Sequence, residues 1–195
     1  MIKLNRKPCP NPEKLKTDYK FKENKIALRD SSYGKCMYCE SIVSHIDHGD
    51  VEHIKPKSKF QSEMYNWDNL GFACTKCNRD YKNDFYDKNL INPYDVDPMI
   101  YLYFIGGILC AKGGNDKGRI TIAVIQLNRL DLLQKRMETL IYFQDLITRF
   151  QMTANSTEKE AIKKIIEEDV KEDKEFSACK KSFWRAYPKN CVNGQ

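Results

Sequence analysis

Val51-Glu52-His53-Ile54-Lys55-Pro56-Lys57-Ser58 sits between two cysteine pairs, Cys36-Met37-Tyr38-Cys39 and Cys74-Thr75-Lys76-Cys77. The octapeptide reads as a short strand running into a proline turn. It sets a carboxylate and an imidazole on neighbouring positions, facing opposite sides if the segment is extended. Each flanking Cys-x2-Cys turn offers two thiolates to one tetrahedral metal, at about 2.3 Å from zinc. Two such turns complete a four-sulfur shell with no open position, so Cys36, Cys39, Cys74 and Cys77 predict a structural Zn2+. Such a site contributes roughly 10–16 kcal/mol apparent to folding, which would offset the thin apolar content of residues 31–92.

Around this centre the chain divides into three regions. Residues 1–30 form a basic N-terminal arm with nine Lys/Arg against four acids, helical toward its end. Residues 31–92, with eight basic and nine acidic residues, read as turns, a hairpin and short helices. Residues 93–195 open with a short β hairpin, Met99 to Cys110, that turns at Gly106-Gly107, and continue as a mainly helical region. There Leu130, Leu133, Met137, Leu140, Ile141 and Phe150 recur at three- and four-residue steps, predicting a long helix capped by Asn128. A second helix is expected from Ser156 or Thr157, with Glu160 completing a capping box, and a last one over Phe176 to Ala186, ended by Pro188. The fold class expected is α+β.

The 195 residues carry 41% hydrophobic and 31% charged side chains and a net charge of +6, composition suited to a globular protein. No apolar run approaches the ~20 residues of a membrane span, and the first ten residues lack the apolar core of a signal peptide. A cytoplasmic location is expected, where the eight cysteines are not a disulfide framework: the paired four favour metal ligation, and Cys9, Cys110, Cys179 and Cys191 read as ordinary thiols. His45 and His48, with Asp47 and Asp50, read as an exposed polar loop rather than a further metal site.

Phosphodiester hydrolysis needs an activated water, a cation to stabilise charge on the phosphate, and help for the leaving oxygen. His53 is suited to take the water's proton near neutral pH. Glu52 and Asn78 supply one anionic and one amide oxygen, ligand types that suit Mg2+ or Mn2+. Asn69 either orients His53 through a hydrogen bond or caps a turn. Lys55 and Lys57 lie beside the strand, placed to track a backbone phosphate or simply solvated.

Cys-x2-Cys, Glu-His-Ile-x-Pro-x-Ser, Asn-Leu and Cys-x2-Cys-Asn-x3-Lys together resemble the HNH (ββα-metal) endonuclease family in its zinc-carrying branch. The resemblance implies His53 as general base, Glu52 and Asn78 as ligands of the catalytic ion, Asn69 as the orienting middle residue, and Lys82 near the substrate phosphate. Glu52 stands where the commoner form has Asp, and Asn78 where the family name implies His. Lys35 to Ser41, Asn92-Pro93-Tyr94 with Pro98, Thr121-Ile122 and Leu127-Asn128-Arg129 are similar to a subgroup that includes nuclease subunits of Septu-type and retron-linked antiphage defence systems. That similarity implies Arg129 as a substrate-binding residue, with a structural ion pair as the other reading of it, and a separate ATPase subunit as partner, since no Walker A signature occurs here. The expected activity is metal-dependent cleavage of nucleic acid, with DNA favoured over RNA. The alternative is a non-catalytic zinc-bound adaptor that binds an ATPase subunit or nucleic acid.

Overall fold

The computed structural model describes residues 1–43 and 48–186. His45 of the polar loop and Pro188 after the last helix lie outside the described residues. At the centre, β1 (Asp50–His53) pairs antiparallel with β2 (Leu70–Ala73), placing Glu52 opposite Gly71 and His53 opposite Leu70. The hairpin leads into Lys76–Lys82, wound as a π-helix, with Asn83 N–H donating to the Asn78 carbonyl at 2.7 Å. A helical turn with i→i+5 bonds is uncommon and concentrates at functional sites. The wide turn carries Cys77 and Lys82 inward and leaves Asn78 and Arg79 on the rim of a cavity. Together these elements make the ββα unit of the α+β fold.

The N-terminal segment folds over this unit through one helical turn, α1 (Pro12–Leu15), and a ten-residue helix, α2 (Lys22–Ser31). Leu4 and Leu28 are buried in the same apolar cluster as Met37, Tyr38, Leu70 and Phe72. Arg6 donates to the carbonyls of Leu70 and Asp68, while its guanidinium lies 3.9 Å from the Tyr94 ring centroid.

Beyond the HNH-like centre, β3 (Leu102–Ile105) and β4 (Ile108–Ala111) form the second hairpin. Four helices follow: α3 (Asp116–Ile125), α4 (Leu130–Met152), α5 (Ser156–Asp169) and α6 (Ser177–Ala186). Gly113 and Gly114, both at positive φ, make the turn after β4, and α3 begins directly beyond it with Gly118 in its first turn. Asn115 caps it by accepting from Gly118 N–H at 2.7 Å, and Gln126 ends it in the left-handed region at φ 51°. Leu102, Leu109, Ile125, Leu127 and Leu132 join the central cluster, so all three sequence regions share one apolar core. Helices α4 and α5 add a satellite cluster of Phe143, Leu146, Ile147, Ile162 and Ile166.

The long helix expected from the apolar spacing is found as α4, and its expected cap is corrected. Its buried face is Leu132, Arg136, Leu140, Phe143, Leu146 and Ile147, whereas Leu130 and Ile141 are 82% and 65% exposed. The face is rotated because Arg136 occupies an interior position, donating to the carbonyls of Leu127 at 2.7 Å and Gly107 at 3.3 Å. A periodicity count that treats every arginine as solvated picks the wrong phase. Asn128 does not cap the helix; Arg129 stands at that position. The Asn128 amide pairs instead with both backbone groups of Leu109, at 2.9 and 2.8 Å. Helix α5 starts where expected, but its cap is Asn155, which accepts from Thr157 and Glu158 N–H.

Candidate metal centre and catalytic cavity

Cys36, Cys39, Cys74 and Cys77 bring their sulfurs within 4.8 Å of one another, with Cys39 and Cys74 3.9 Å apart. A tetrahedron of sulfurs around zinc has edges of about 3.8 Å, so the cluster is compatible with a zinc site. The Cys39 thiol is held well below its usual range by hydrogen bonds from Cys36, Cys74 and Cys77. Cys36 is pushed up by burial, and Cys77 by its hydrogen bonds to the other thiols. Four sulfurs gathered this closely are the donor set that a soft divalent cation such as zinc takes.

Glu40 follows directly in the left-handed region at φ 65° and fastens the knuckle to the C-terminal region. Its carboxylate accepts from Ser177 Oγ at 2.9 Å and lies 3.4 Å from Lys35 Nζ and 2.7 Å from the Met1 amine. Burial alone would raise its pKa, but the two ammonium groups hold it at about 2.

The second site is a cavity of about 310 Å3 lined by Tyr19, Lys20, Asp50, Glu52, His53, Lys57, Asn78 and Arg79, among others. His53, the last residue of β1, hydrogen-bonds through Nε2 to the Met64 carbonyl at 2.9 Å. A carbonyl only accepts, so Nε2 carries the proton and a neutral ring keeps its lone pair on Nδ1. Burial lowers the His53 pKa, and the ammonium groups of Lys57, Lys82 and Lys20 lower it further against the Met64 bond.

Asn69 is not bonded to His53. Its Oδ1 accepts from Lys55 N–H at 2.7 Å, and its Nδ2 donates to the carbonyls of Lys55 and Glu63, each at 3.0 Å. The amide thus closes the loop between the strands and sets Glu63, whose neighbour Met64 holds the imidazole. Asn69 and His53 are thus linked only through neighbouring backbone carbonyls, those of Glu63 and Met64.

Glu52 is 1% exposed, with Oε1 2.7 Å from Lys82 Nζ and 3.0 Å from the Tyr38 hydroxyl. Burial raises its pKa to about 6 despite both partners. Lys82 also donates to the His53 carbonyl at 2.8 Å and is buried at the base of β1. Its placement beside the substrate phosphate is therefore corrected: it is a counter-ion inside the fold. Asn78 Nδ2 donates to Asp50 Oδ2 at 3.1 Å, which identifies the other amide atom, Oδ1, as its remaining acceptor. Asp50 also receives Arg79 in a two-pronged pair at 2.8 and 2.5 Å.

Sequence reasoning grouped Asp50 with the polar loop and did not connect it to Asn78. The available signal is its position two residues before Glu52, on the same face of a strand. Of the four residues expected to bind substrate, the structure places only Lys57 in the cavity with His53. Lys55 pairs with Glu63 at 2.7 Å and lines a different depression with Asn69 and Tyr86. Arg129 lies at the zinc knuckle, with Nη1 3.6 Å from Cys77 Sγ and Nε 3.1 Å from Asp131.

A cysteine knuckle, a two-stranded hairpin and a following helical turn around one imidazole define the ββα class of nuclease domain. Residues 36–84 match the family model described as HNH endonuclease, and this stretch is an HNH endonuclease domain. Over a longer span the chain is similar to two proteins named Septu protein PtuB. The Bacillus thuringiensis protein is 29% identical over 180 residues, covering 80% of this chain and 69% of that protein. The Bacillus mycoides (strain KBAB4) protein is 30% identical over 150 residues, covering 60% of this chain and 51% of that one. The chain thus spans about half the length of the second relative. No helix among the described residues is long and apolar enough to cross a membrane.

Proposed function

We propose that this chain is a metal-dependent endonuclease that hydrolyses phosphodiester bonds of nucleic acid, with DNA the favoured substrate. The carrying observation is the His53 Nε2 bond to the Met64 carbonyl, which leaves Nδ1 as a base inside a cavity lined by oxygen donors. Glu52 and Asn78 would hold the catalytic divalent ion, Mg2+ or Mn2+, and Asp50 sets the Asn78 amide. An all-oxygen donor set fits a hard cation. Such an ion supplies a positive charge that stabilises the phosphate as its own charge grows.

His53 Nδ1 takes a proton from water as that water's oxygen forms the new bond to phosphorus. The bond to the leaving sugar oxygen breaks, and that oxygen keeps the electron pair and is protonated from solvent. Lys82 keeps the Glu52 carboxylate ionised within the fold, while Asn69 holds the loop that presents Met64 to the imidazole. The four-cysteine cluster would bind a structural Zn2+ and brace both ends of the hairpin.

The similarity to the Septu proteins supports an antiphage defence role, with this chain as effector nuclease and a separate ATPase subunit as partner. The functional test is cleavage of supercoiled plasmid and of total tRNA with Mg2+ or Mn2+, comparing the parent chain with His53→Ala, each with and without EDTA. Cutting by the parent that stops in the variant and under chelation is the expected result. A folded, zinc-loaded parent that cuts neither substrate, even with its ATPase partner present, would leave the adaptor function as the better account.

A further inference from the structure

One wall of the His53 cavity comes from outside residues 36–84. Tyr19 and Lys20 belong to the turn between α1 and α2. That turn is anchored by buried Leu15 and by Asp18, whose Oδ1 accepts from Lys20 N–H at 2.8 Å. The Tyr19 ring meets the His53 ring edge-on, with centroids 4.6 Å apart and planes at 71°. Its hydroxyl accepts from Lys57 Nζ at 2.6 Å. Lys57 Nζ lies 4.6 Å from the Tyr19 ring centroid, and Lys20 Nζ 5.6 Å from it.

Tyr19 therefore gathers two ammonium groups, one from each side of the family boundary, at the mouth of the cavity. The same cavity is also lined by Asp50, Glu52 and Asp84. An anionic phosphodiester entering beside those acids meets attraction on the Lys20–Lys57 side, and Arg79 is already engaged by Asp50. With its edge against His53 and ammonium groups close by, Tyr19 is poorly placed as a platform for a stacked base. The grip falls on the backbone rather than on base edges.

We propose that Lys20 and Lys57, gathered by Tyr19, seat the phosphodiester next to the scissile one, so that the N-terminal segment forms half of the substrate site. This rests on the nuclease function proposed above, but its test separates the two. In a His53→Ala background, binding of a fluorescein-labelled DNA duplex, and of the same sequence as RNA, is followed by anisotropy across a salt series. Lys20→Ala and Lys57→Ala are each expected to weaken binding on the order of three- to fivefold near 0.1 M salt. Each should also reduce the slope of log K against log salt by roughly 0.9 for one lost phosphate contact. Tyr19→Phe, which keeps the ring but removes the acceptor for Lys57, should weaken binding less than Lys57→Ala.

Lys164→Ala, on the remote helix α5, is the control for general charge and should alter neither quantity. With His53 intact, the lysine losses should appear in KM rather than kcat. Unchanged slopes in both lysine variants, with parental melting and zinc content, overturn the proposal. So does a parent that binds neither nucleic acid. Reduced slopes in a chain that cuts nothing would uphold the seat while the nuclease function failed. Cutting with unchanged slopes would do the reverse.

Discussion

Arg129→Gln bears directly on how the C-terminal region serves the HNH domain. The guanidinium stands 3.6 Å from Cys77 Sγ, its side chain only 8% exposed. Four thiolates around Zn2+ leave two net negative charges, so the zinc-loaded cluster is a stronger partner for this cation than the metal-free one. A unit pair near 4 Å is worth roughly 4 kcal/mol at an effective dielectric of ~20. The half-exposed Asp131 carboxylate, 3.1 Å from Nε, competes for the same charge. Hydrogen bonds to charged groups measure about 1.5–3 kcal/mol. A net of about 2 kcal/mol follows, equivalent to roughly a 30-fold weaker zinc dissociation constant. Glutamine removes the charge while keeping an N–H donor, and Arg129→Lys restores the charge. The assay is competition with a chromophoric chelator at neutral pH, with zinc content confirmed by mass spectrometry. The expected order of zinc retention is parent, then Lys, then Gln. If Arg129→Gln held zinc within about twofold of the parent, a difference well under 1 kcal/mol, the guanidinium would be a passive neighbour and the argument wrong.

Asn69→Ala removes a buried amide that makes three bonds to loop backbone, and should cost about 2–3 kcal/mol by leaving those groups unpaired. Thermal melting should fall and cleavage should drop through kcat, while zinc content stays full; unchanged kcat would dissociate Asn69 from His53. Lys82→Met leaves the Glu52 carboxylate buried without its cation, a change of about 3–5 kcal/mol in denaturant unfolding. Adding Glu52→Gln to it should recover part of that loss, and a double variant no more stable than the single one would count against the pair. Glu40 has a folded pKa of about 2, below its ordinary value of 4.5, so its stabilisation is present above pH ~4.5 and is lost as pH falls toward 2. The shift corresponds to about 3 kcal/mol. The stability gap between the parent and Glu40→Gln should therefore be widest at neutral pH and close between pH ~4.5 and ~2; a gap constant with pH would contradict the ion-pair account.

Local chemistry made much of the site legible. Two Cys-x2-Cys turns offer four sulfur donors suited to one metal, and the adjacent Glu52-His53 marks a place where a carboxylate and an imidazole share one strand. The hairpin and the starts of α5 and α6 follow from spacing and capping residues, which act within a few positions along the chain. What the linear pattern left open depends on partners far away in sequence. Asp50 is one acid among many until β1 places it beside Asn78, 28 residues later. Lys82 and Arg136 look like surface cations until burial pairs them with Glu52 and with two carbonyls. Arg129 resembles a phosphate ligand until α4 delivers it to the sulfurs. The amino-acid sequence alone determined which donor atoms and which ionisable side chains the chain brings near one another. Only tertiary packing decided which charges stay in water to meet a substrate, because the energy of a charge depends on what surrounds it and not on its neighbours in the chain.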